Sequence, residues 1–242
     1  KEDLATQATA LLFLQGISIN AEENLRLNRC LVLGVEEDFW KLSNGVDFQL
    51  NAGEVVISEE VAQELQLTIG ESLLLRIKNA DIIPLNAPFT SDEDPSIALR
   101  LTIVGVAHKD QLGGFSLKNQ QATSYNVFVN RAFLADKMDL SNLSNLILVA
   151  DEQLTKSQLQ ASLDENWKLQ DAALKIREIE EGKQIELLSE RVFIDPSIAN
   201  KVKALPLQKN ELLTYFVNSL ESHQQATPYS FVSAMTAKMM GQ

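Results

Sequence analysis

The stretch that most constrains this chain is Glu54–Ile77, EVVISEEVAQELQLTIGESLLLRI. Val55, Val56 and Ile57 form a short β-branched run, and Ser58 follows as an N-cap candidate. Glu59 and Glu60 place carboxylates in the first helical turn, where the helix dipole favours them. Val61, Ala62 and Leu65 give the helix one apolar face. Ile69-Gly70 breaks the pattern. Leu73, Leu75 and Ile77 then alternate with Ser72, Leu74 and Arg76, which predicts a strand with one buried side. Strand, capped helix, turn and strand follow in 24 residues that contain no reactive group. The stretch reads as scaffold.

Asn126–Met138, NVFVNRAFLADKM, repeats the same grammar: a β run, Asn130 as cap, then a helix with Phe133, Leu134 and Met138 apolar. It is either a degenerate internal repeat or a second instance of the generic βα unit. Further strands are expected over 26–35, 99–106, 146–150, 167–179, 185–194 and 212–220. Leu27, Leu31 and Leu33 are expected to point inward from the first of these. Residues 1–13 read as a helix with Leu4, Ala8, Leu11 and Leu12 on one face, although LLFLQGISI also fits a strand. Helices are expected over 154–163 and from Pro196, with Asp195 as cap and Pro196 in the first turn. Residues 43–53, 79–96 and 107–124 read as loops, the second proline-bearing with Asp92-Glu93-Asp94 at its tip.

The fold class is therefore α+β, with strands spread along the chain. Two lobes are expected: a discontinuous one of βα units from both chain ends, 1–34 with 143–242, and an inserted β-rich one, 35–142. At 242 residues and 45% hydrophobic content the chain can bury a sizeable core. Its formal net charge of -12 argues against a phosphate-tracking surface, and so against nucleic acid as a partner. No apolar run is long enough to span a bilayer. The start KEDLATQ, without an initiator Met, is read as that of a processed or cut fragment, with targeting or membrane segments expected outside it.

Chemistry is sparse. One cysteine, Cys30, and two histidines, His108 and His223, leave no Cys/His zinc set. Cys30 is expected to be a small buried hydrophobe. Both histidines are expected to be exposed and non-catalytic. No Gly-x-Ser-x-Gly elbow, Walker A loop or Gly-x-Gly-x-x-Gly fingerprint is present. The acidic clusters at 36–38, 92–94 and 178–181 read as solvated turns rather than cation sites. Trp40 and Trp167 read as packing anchors. No catalytic, cofactor-binding or metal-binding residue is assigned, no cofactor is expected, and the chain is expected not to be an enzyme. Leu112 and Phe115, in the loop LGGFSL, are the candidates for partner contact, because an apolar side chain on a loop tip often meets something outside its own domain.

The motifs occur in a telling order: LVLGVEEDFWKL, then NAGEVVISEEVAQELQLTIGESLLLRI, then LRLTIVGVAHKDQLGGFSL, then NVFVNRAFLADKM. This order resembles the MacB-like periplasmic core domain of FtsX-type ABC-transporter permeases. Gly34, Val35 and Phe39 match its first step, Ala62, Leu65, Gly70 and Glu71 its second, and Ile103 to Val106 its third. LTYFVNSL and TPYSFVSAM are similar to segments of the larger permeases of this type. The resemblance implies a porter-like lobe and an inserted sabre-like lobe. It implies a non-catalytic module on the periplasmic side of the bacterial inner membrane, between transmembrane helices, that binds substrate or partner and couples mechanically (mechanotransmission). Its implied partners are an ATPase subunit or domain reached through the membrane helices, a second permease copy, and a periplasmic protein or lipophilic cargo. The segments 79–96 and 164–235 exceed the family's minimal pattern, so no partner contacts carry over to them. The alternatives are a soluble periplasmic hydrolase using carboxylates, and a free-standing periplasmic interaction protein.

Overall fold

The computed structural model describes residues 7–43, 48–78, 96–117, 124–151, 153–179, 183–189, 194–223 and 225–235. Contacts group them into two compact units, one of the described residues up to Ala161 and one of those from Ser162 on. The chain is sheet-rich and mixed α/β.

The first unit is built on strands β1 (Gln7–Asn20), β2 (Leu25–Val35), β3 (Glu54–Ser58), β4 (Ser72–Lys78), β5 (Ser96–Ala107), β6 (Asn126–Asn130) and β7 (Leu146–Ala150). Their order in the sheet is β2-β6-β3-β5-β4-β1-β7, and β1 also pairs with β2. That extra pairing closes strands β1 to β6 into a six-stranded ring, with β7 attached to the N-terminal part of β1. The pairs β2–β6 and β3–β5 are parallel and the others antiparallel.

β1 replaces the helix expected over 1–13; residues 1–6 lie outside the described residues. The alternative strand reading of LLFLQGISI holds. From Leu12 onward the alternate residues Leu14, Ser18 and Asn20 are buried, the period of a strand rather than of a helix. The inward set on β2 also differs from expectation. Between Gly16–Cys30 and Ser18–Leu27 the register shifts, so β2 carries one extra residue. Such a bulge flips the side-chain phase. Leu25 and Leu27 pack on the main core before it, and Cys30 and Val32 after it, while Leu31 is only half-buried and Leu33 faces a second core.

All six ring strands contribute to the main core, with Leu12, Val32, Val55, Leu75, Leu101 and Val127 among its fully buried side chains. Each such side chain contributes roughly 1.5–3 kcal/mol by burial. The second core lies on the other sheet face and holds Leu33, Val35, Val56 and Phe128 beneath Phe39 and Trp40 of a short helix, α1 (Glu37–Trp40). β3 and β6 are thus buried on both faces, which is why EVVIS and NVFVN show no alternation.

The two βα segments are related by more than grammar. β3 and β6 run antiparallel with Val56 opposite Phe128 at the centre. Each continues into a seven-residue helix, α2 (Glu59–Leu65) and α3 (Arg131–Lys137). Each is flanked by a strand from the other half, β5 beside β3 and β2 beside β6. Each half opens with an antiparallel hairpin, β1–β2 or β4–β5. The ring is thus two interlocked β-β-β-α halves about a pseudo-two-fold axis, the arrangement an internal repeat would have. Gly34 and Gly105 occupy equivalent places, facing Val129 and Val56 across the parallel pairs. A Cβ at Gly34 would lie 3.1 Å from Leu12 and Leu134, and one at Gly105 would lie 2.6 Å from Phe48.

The ring joins strands from both sides of the boundary expected at 34/35, because β1 and β2 bond to β4 and β6. The observed division follows these pairings and falls at 161/162, within helix α4 (Lys156–Asn166). Of the expected loops, 79–95 lies outside the described residues.

Among the described residues the second unit contains two separate two-stranded sheets. β8 (Leu174–Ile179) pairs with β9 (Gln184–Ser189), and β10 (Leu212–Ser222) pairs with β11 (Gln225–Met235). Between them lies α5 (Pro196–Ala204), where Asp195 caps by accepting from the Ser197 amide at 2.8 Å and Pro196 sits in the first turn, as expected. The strand expected from Trp167 begins only at Leu174; before it comes a 3-10 turn, Leu169–Ala172, and Ala173 in the left-handed region.

Ser58 joins the two halves. Its Oγ accepts from the Val61 amide at 3.4 Å as the cap of α2, and from the Asn126 amide of β6 at 3.3 Å. Both amides lose their acceptor in Ser58→Ala, at a fully buried position. The expected destabilisation is about 2 kcal/mol. Urea denaturation checks this, and a loss below about 0.5 kcal/mol would contradict the double role.

Candidate functional site

The residues with most chemical potential gather where β2 and β5 end and where α2 and α3 begin. The two halves contribute matching acid–base contacts. Arg131, the first residue of α3, donates from Nε to Glu36 at 2.8 Å and makes a second, very short bond to the same carboxylate through Nη2. Glu36 directly follows β2. In the other half Glu59, the first residue of α2, meets His108, which directly follows β5; Nδ1 and Oε2 lie 3.1 Å apart. The Arg131 pair is the more enclosed, with side-chain exposures of 19% and 35% against 58% and 43% for the histidine pair. It is the one expected to matter for stability, since screening leaves exposed pairs with little net effect.

Beside Glu36 opens a cavity of about 420 Å³. Its polar lining is Glu36, Glu37, Asp38, Gln49, Asn51 and Asn130, and Val35 and Trp40 are among its apolar lining residues. Glu36 is engaged by Arg131, and Asp38 by Lys41 at 2.9 Å. The acidic run at 36–38 thus stays at the surface, with Glu37 exposed, while two of its carboxylates are paired. Among the described residues no group of three or more His, Cys, Asp or Glu side chains is placed to hold a metal ion. The cluster at 92–94 lies outside the described residues, as do Glu180 and Glu181, while Glu178 is exposed on β8.

The loop after β5 is tightly folded. His108 caps a 3-10 turn, Lys109–Gln111, and Leu112 adopts the left-handed region at φ 63°. The Gly113 amide returns to the His108 carbonyl at 2.8 Å. A Cβ on Gly113 would fall 2.1 Å from the Ala107 carbonyl oxygen, so only glycine fits. Asn126 then holds the loop from β6, its Nδ2 donating to the carbonyls of Gly113 and Phe115, both at 2.8 Å. Leu112 and Phe115, the candidate contact residues, are half-buried and pack on the second core. The Phe115 ring stands edge-on to Phe39 at 5.7 Å. Much of each side chain is thus already used within the unit. Asn126 escaped the sequence reading because its two acceptors lie 11 and 13 residues away in a loop without periodicity.

Trp40 is fully buried between Phe39, Phe48 and Phe128, as a packing anchor should be. Trp167 is not: it follows α4 and is 46% exposed. His223 lies at the β10–β11 turn with φ 55°, its Nδ1 3.2 Å from Ser222 Oγ. Cys30 is buried, with its Sγ 3.0 Å from Ser18 Oγ.

No protein-family model matches this chain, and no curated protein matches it either. Among solved structures it is similar to the periplasmic region of MacB from Actinobacillus actinomycetemcomitans. The identity is 12%, the match covers 82% of this chain and 76% of that one, and the TM-score is 0.41. This is a distant likeness of fold, and it carries no weight for function.

Burial pushes the Cys30 thiol up to about 11, against a smaller opposing effect of the Ser18 hydrogen bond. The folded state therefore holds this proton to higher pH than the unfolded chain. Stability linked to Cys30 is fully present below about pH 9 and declines as pH rises from there towards 11. Comparing unfolding of the protein with that of Cys30→Ala across pH 8 to 11 checks the sign, because the difference isolates this group. The stability gap should move against the cysteine protein by about 2–3 kcal/mol over the window, and a constant gap would contradict the assignment.

Proposed function

We propose that this chain is a periplasmic, non-catalytic domain of an ABC-transporter permease of the FtsX/MacB type, which passes motion between transmembrane helices and a partner or cargo. The observation that carries this reading is the order of motifs from Gly34 to Met138. The corresponding segments are framework: β2 with α1, β3 to β4, β5, and β6 with α3. A closed, doubly cored ring suits a part that must move as one body, since packed interiors transmit displacement rather than absorb it. Its partners in this reading are an ATPase subunit or domain, reached through the membrane helices, and a second permease copy. Contact with a periplasmic protein or lipophilic cargo at Leu112 and Phe115 would use only the parts of those side chains left outside the core.

The hydrolase alternative would need two free carboxylates facing each other across a cavity. Of the three carboxylates lining the cavity described above, Glu36 is bound to Arg131 and Asp38 to Lys41, which leaves Glu37 without a free carboxylate to face it there. That geometry favours the coupling role.

Among the described residues no helix is long and apolar enough to cross a membrane. The test is therefore made on the native protein. Its reading frame should encode long apolar segments on both sides of residues 1–242, and protease added to spheroplasts should cut this domain while a cytoplasmic marker survives. A reading frame without such segments, or a domain protected until the inner membrane is lysed, would overturn the proposal.

A further inference from the structure

The second core covers the outer side of the ring over Leu33, Val35, Val56 and Phe128. Elsewhere on that side, the β1–β2 hairpin, β4 and the first half of β5 present a different surface. Alternation fixes which side chains lie there. Leu73, Leu75, Leu99 and Leu101 fill the main core, and Ser18 and Asn20 are buried, so Ile17, Ile19, Leu74, Arg76, Ala98 and Arg100 point outward. Leu25, Leu27 and Cys30 also turn inward, which leaves Arg26 and Arg29 outside.

Register then aligns these residues. Arg26 stands opposite Ile19, Ile19 opposite Leu74, and Leu74 opposite Arg100, one row across four strands. In the next row Ile17 stands opposite Arg76 and Arg76 opposite Ala98, with Arg29 in the bulge beside Ile17. The chain has 33 Asp and Glu against 21 Lys and Arg, yet these two rows hold four arginines and no carboxylate. All four are exposed, and none has an ion pair or side-chain hydrogen bond among the described residues. Ile17, Ile19 and Leu74 are half-buried and belong to neither core. Unpaired like charges on neighbouring strands oppose folding, so the fold itself does not account for them.

The geometry points to a docking site for an acidic peptide segment of another protein, one that carries a carboxylate, an aliphatic side chain and a second carboxylate on alternate residues. Charge selects an anion, because unpaired guanidinium groups bind carboxylates in two-pronged fashion. The aliphatic side chains between the arginines select against nucleic acid and polyphosphate, whose backbones would leave Ile19 and Leu74 uncovered. Spacing selects an extended peptide. Neighbouring strands lie about 4.8 Å apart, so Arg26 and Arg100 are about 14 Å apart at the backbone. An extended peptide turns every second side chain to one side at intervals of about 7 Å. Its residues i and i+4 then reach the two arginines while i+2 meets Ile19 and Leu74. An anionic lipid surface is disfavoured by Glu22 and Glu23, exposed in the β1–β2 turn at one end of this face, and by the net charge of -12. The site is separate from Leu112 and Phe115, which pack on the second core. It does not rest on the transporter reading, which its failure would leave standing.

The test is fluorescence anisotropy of a labelled peptide of two Glu-Ser-Leu-Ser-Glu repeats, titrated with the whole chain. The peptide should bind saturably, and more weakly as salt rises from about 50 to about 200 mM. Arg26→Ala combined with Arg100→Ala should weaken binding by about tenfold or more, with an unchanged far-ultraviolet spectrum. Lys156→Ala combined with Lys201→Ala removes the same charge from exposed positions on α4 and α5 and should leave binding within about twofold. A peptide with Ser in place of Leu should bind several-fold more weakly. Absence of saturable binding at about 500 μM overturns the inference, as does binding that survives the double arginine replacement. Equal binding of the leucine-free peptide overturns it too, because the site would then take any polyanion. So does arginine-dependent capture by phosphatidylglycerol vesicles without peptide binding. Peptide binding that appears only in Asp92→Asn, Glu93→Gln and Asp94→Asn together would make this chain's own acidic run the occupant, and would likewise overturn it.

Discussion

Everything in the first unit depends on β1 bonding to three strands. Gln7–Leu11 pairs with β7, Leu12–Asn20 with β2, and Gly16–Ile19 with β4. The double pairing at Gly16–Ile19 closes the ring, and it works because β2 and β4 both approach closely at Gly16. A Cβ there would meet Val32 at 2.8 Å and the Arg76 carbonyl oxygen at 2.9 Å. Closure leaves the six strands without an exposed sheet edge along their shared length, which removes the usual route to unwanted strand pairing.

From closure follows the division of labour within the sheet. The enclosed side must be filled, so every ring strand offers aliphatic side chains to it. The outer side needs cover only where α1 and the loop after β5 lie, and there the aromatic residues collect: Phe39, Trp40, Phe48, Phe115 and Phe128. The polar groups that remain inside the unit are structural. Ser58 ties a helix cap to the neighbouring strand, Asn126 ties a loop to it, and Asn20 Nδ2 bonds to the Leu65 carbonyl at 2.9 Å where α2 ends. The Glu36–Arg131 ion pair braces the start of α3 against the end of β2 in the other half, and the exposed Glu59–His108 contact occupies the matching place. These side chains lock segments of the first unit together.

The sequence made local structure legible and long-range pairing illegible. Glu54–Ile77 and Asn126–Met138 were readable because cap, helix face and strand alternation all lie within a few residues. The strand β1 was misread in its first half because Leu4, Ala8, Leu11 and Leu12 fall at helical spacing, and only its pairing with β2, β4 and β7 decides the matter. The inward set of β2 was missed because a bulge opposite Gly16–Ser18 reverses the phase. The boundary at 34/35 was placed by composition, which carries no trace of the parallel β2–β6 ladder. Leu33-Gly34-Val35 and Val104-Gly105-Val106 precede the two βα segments at nearly the same distance, and as a pair they point to the repeat. In the candidate site, the burial of Cys30 and the packing of Trp40 were legible from apolar neighbours, whereas the hold of Asn126 on Gly113 and Phe115 had no local signature.

The central claim is that strands from residues 7 to 130 form one closed, cooperative ring. Native-state hydrogen exchange under increasing denaturant tests it most directly, because amides of one cooperative unit converge on one opening free energy. Amides at Val32, Val56, Leu75, Leu101 and Val127 should open together with global unfolding, those of β1 among them, while β10 and β11 open at lower free energy. If β1 and β2 opened well before β3, β5 and β6, the ring would not be the unit that holds this fold together.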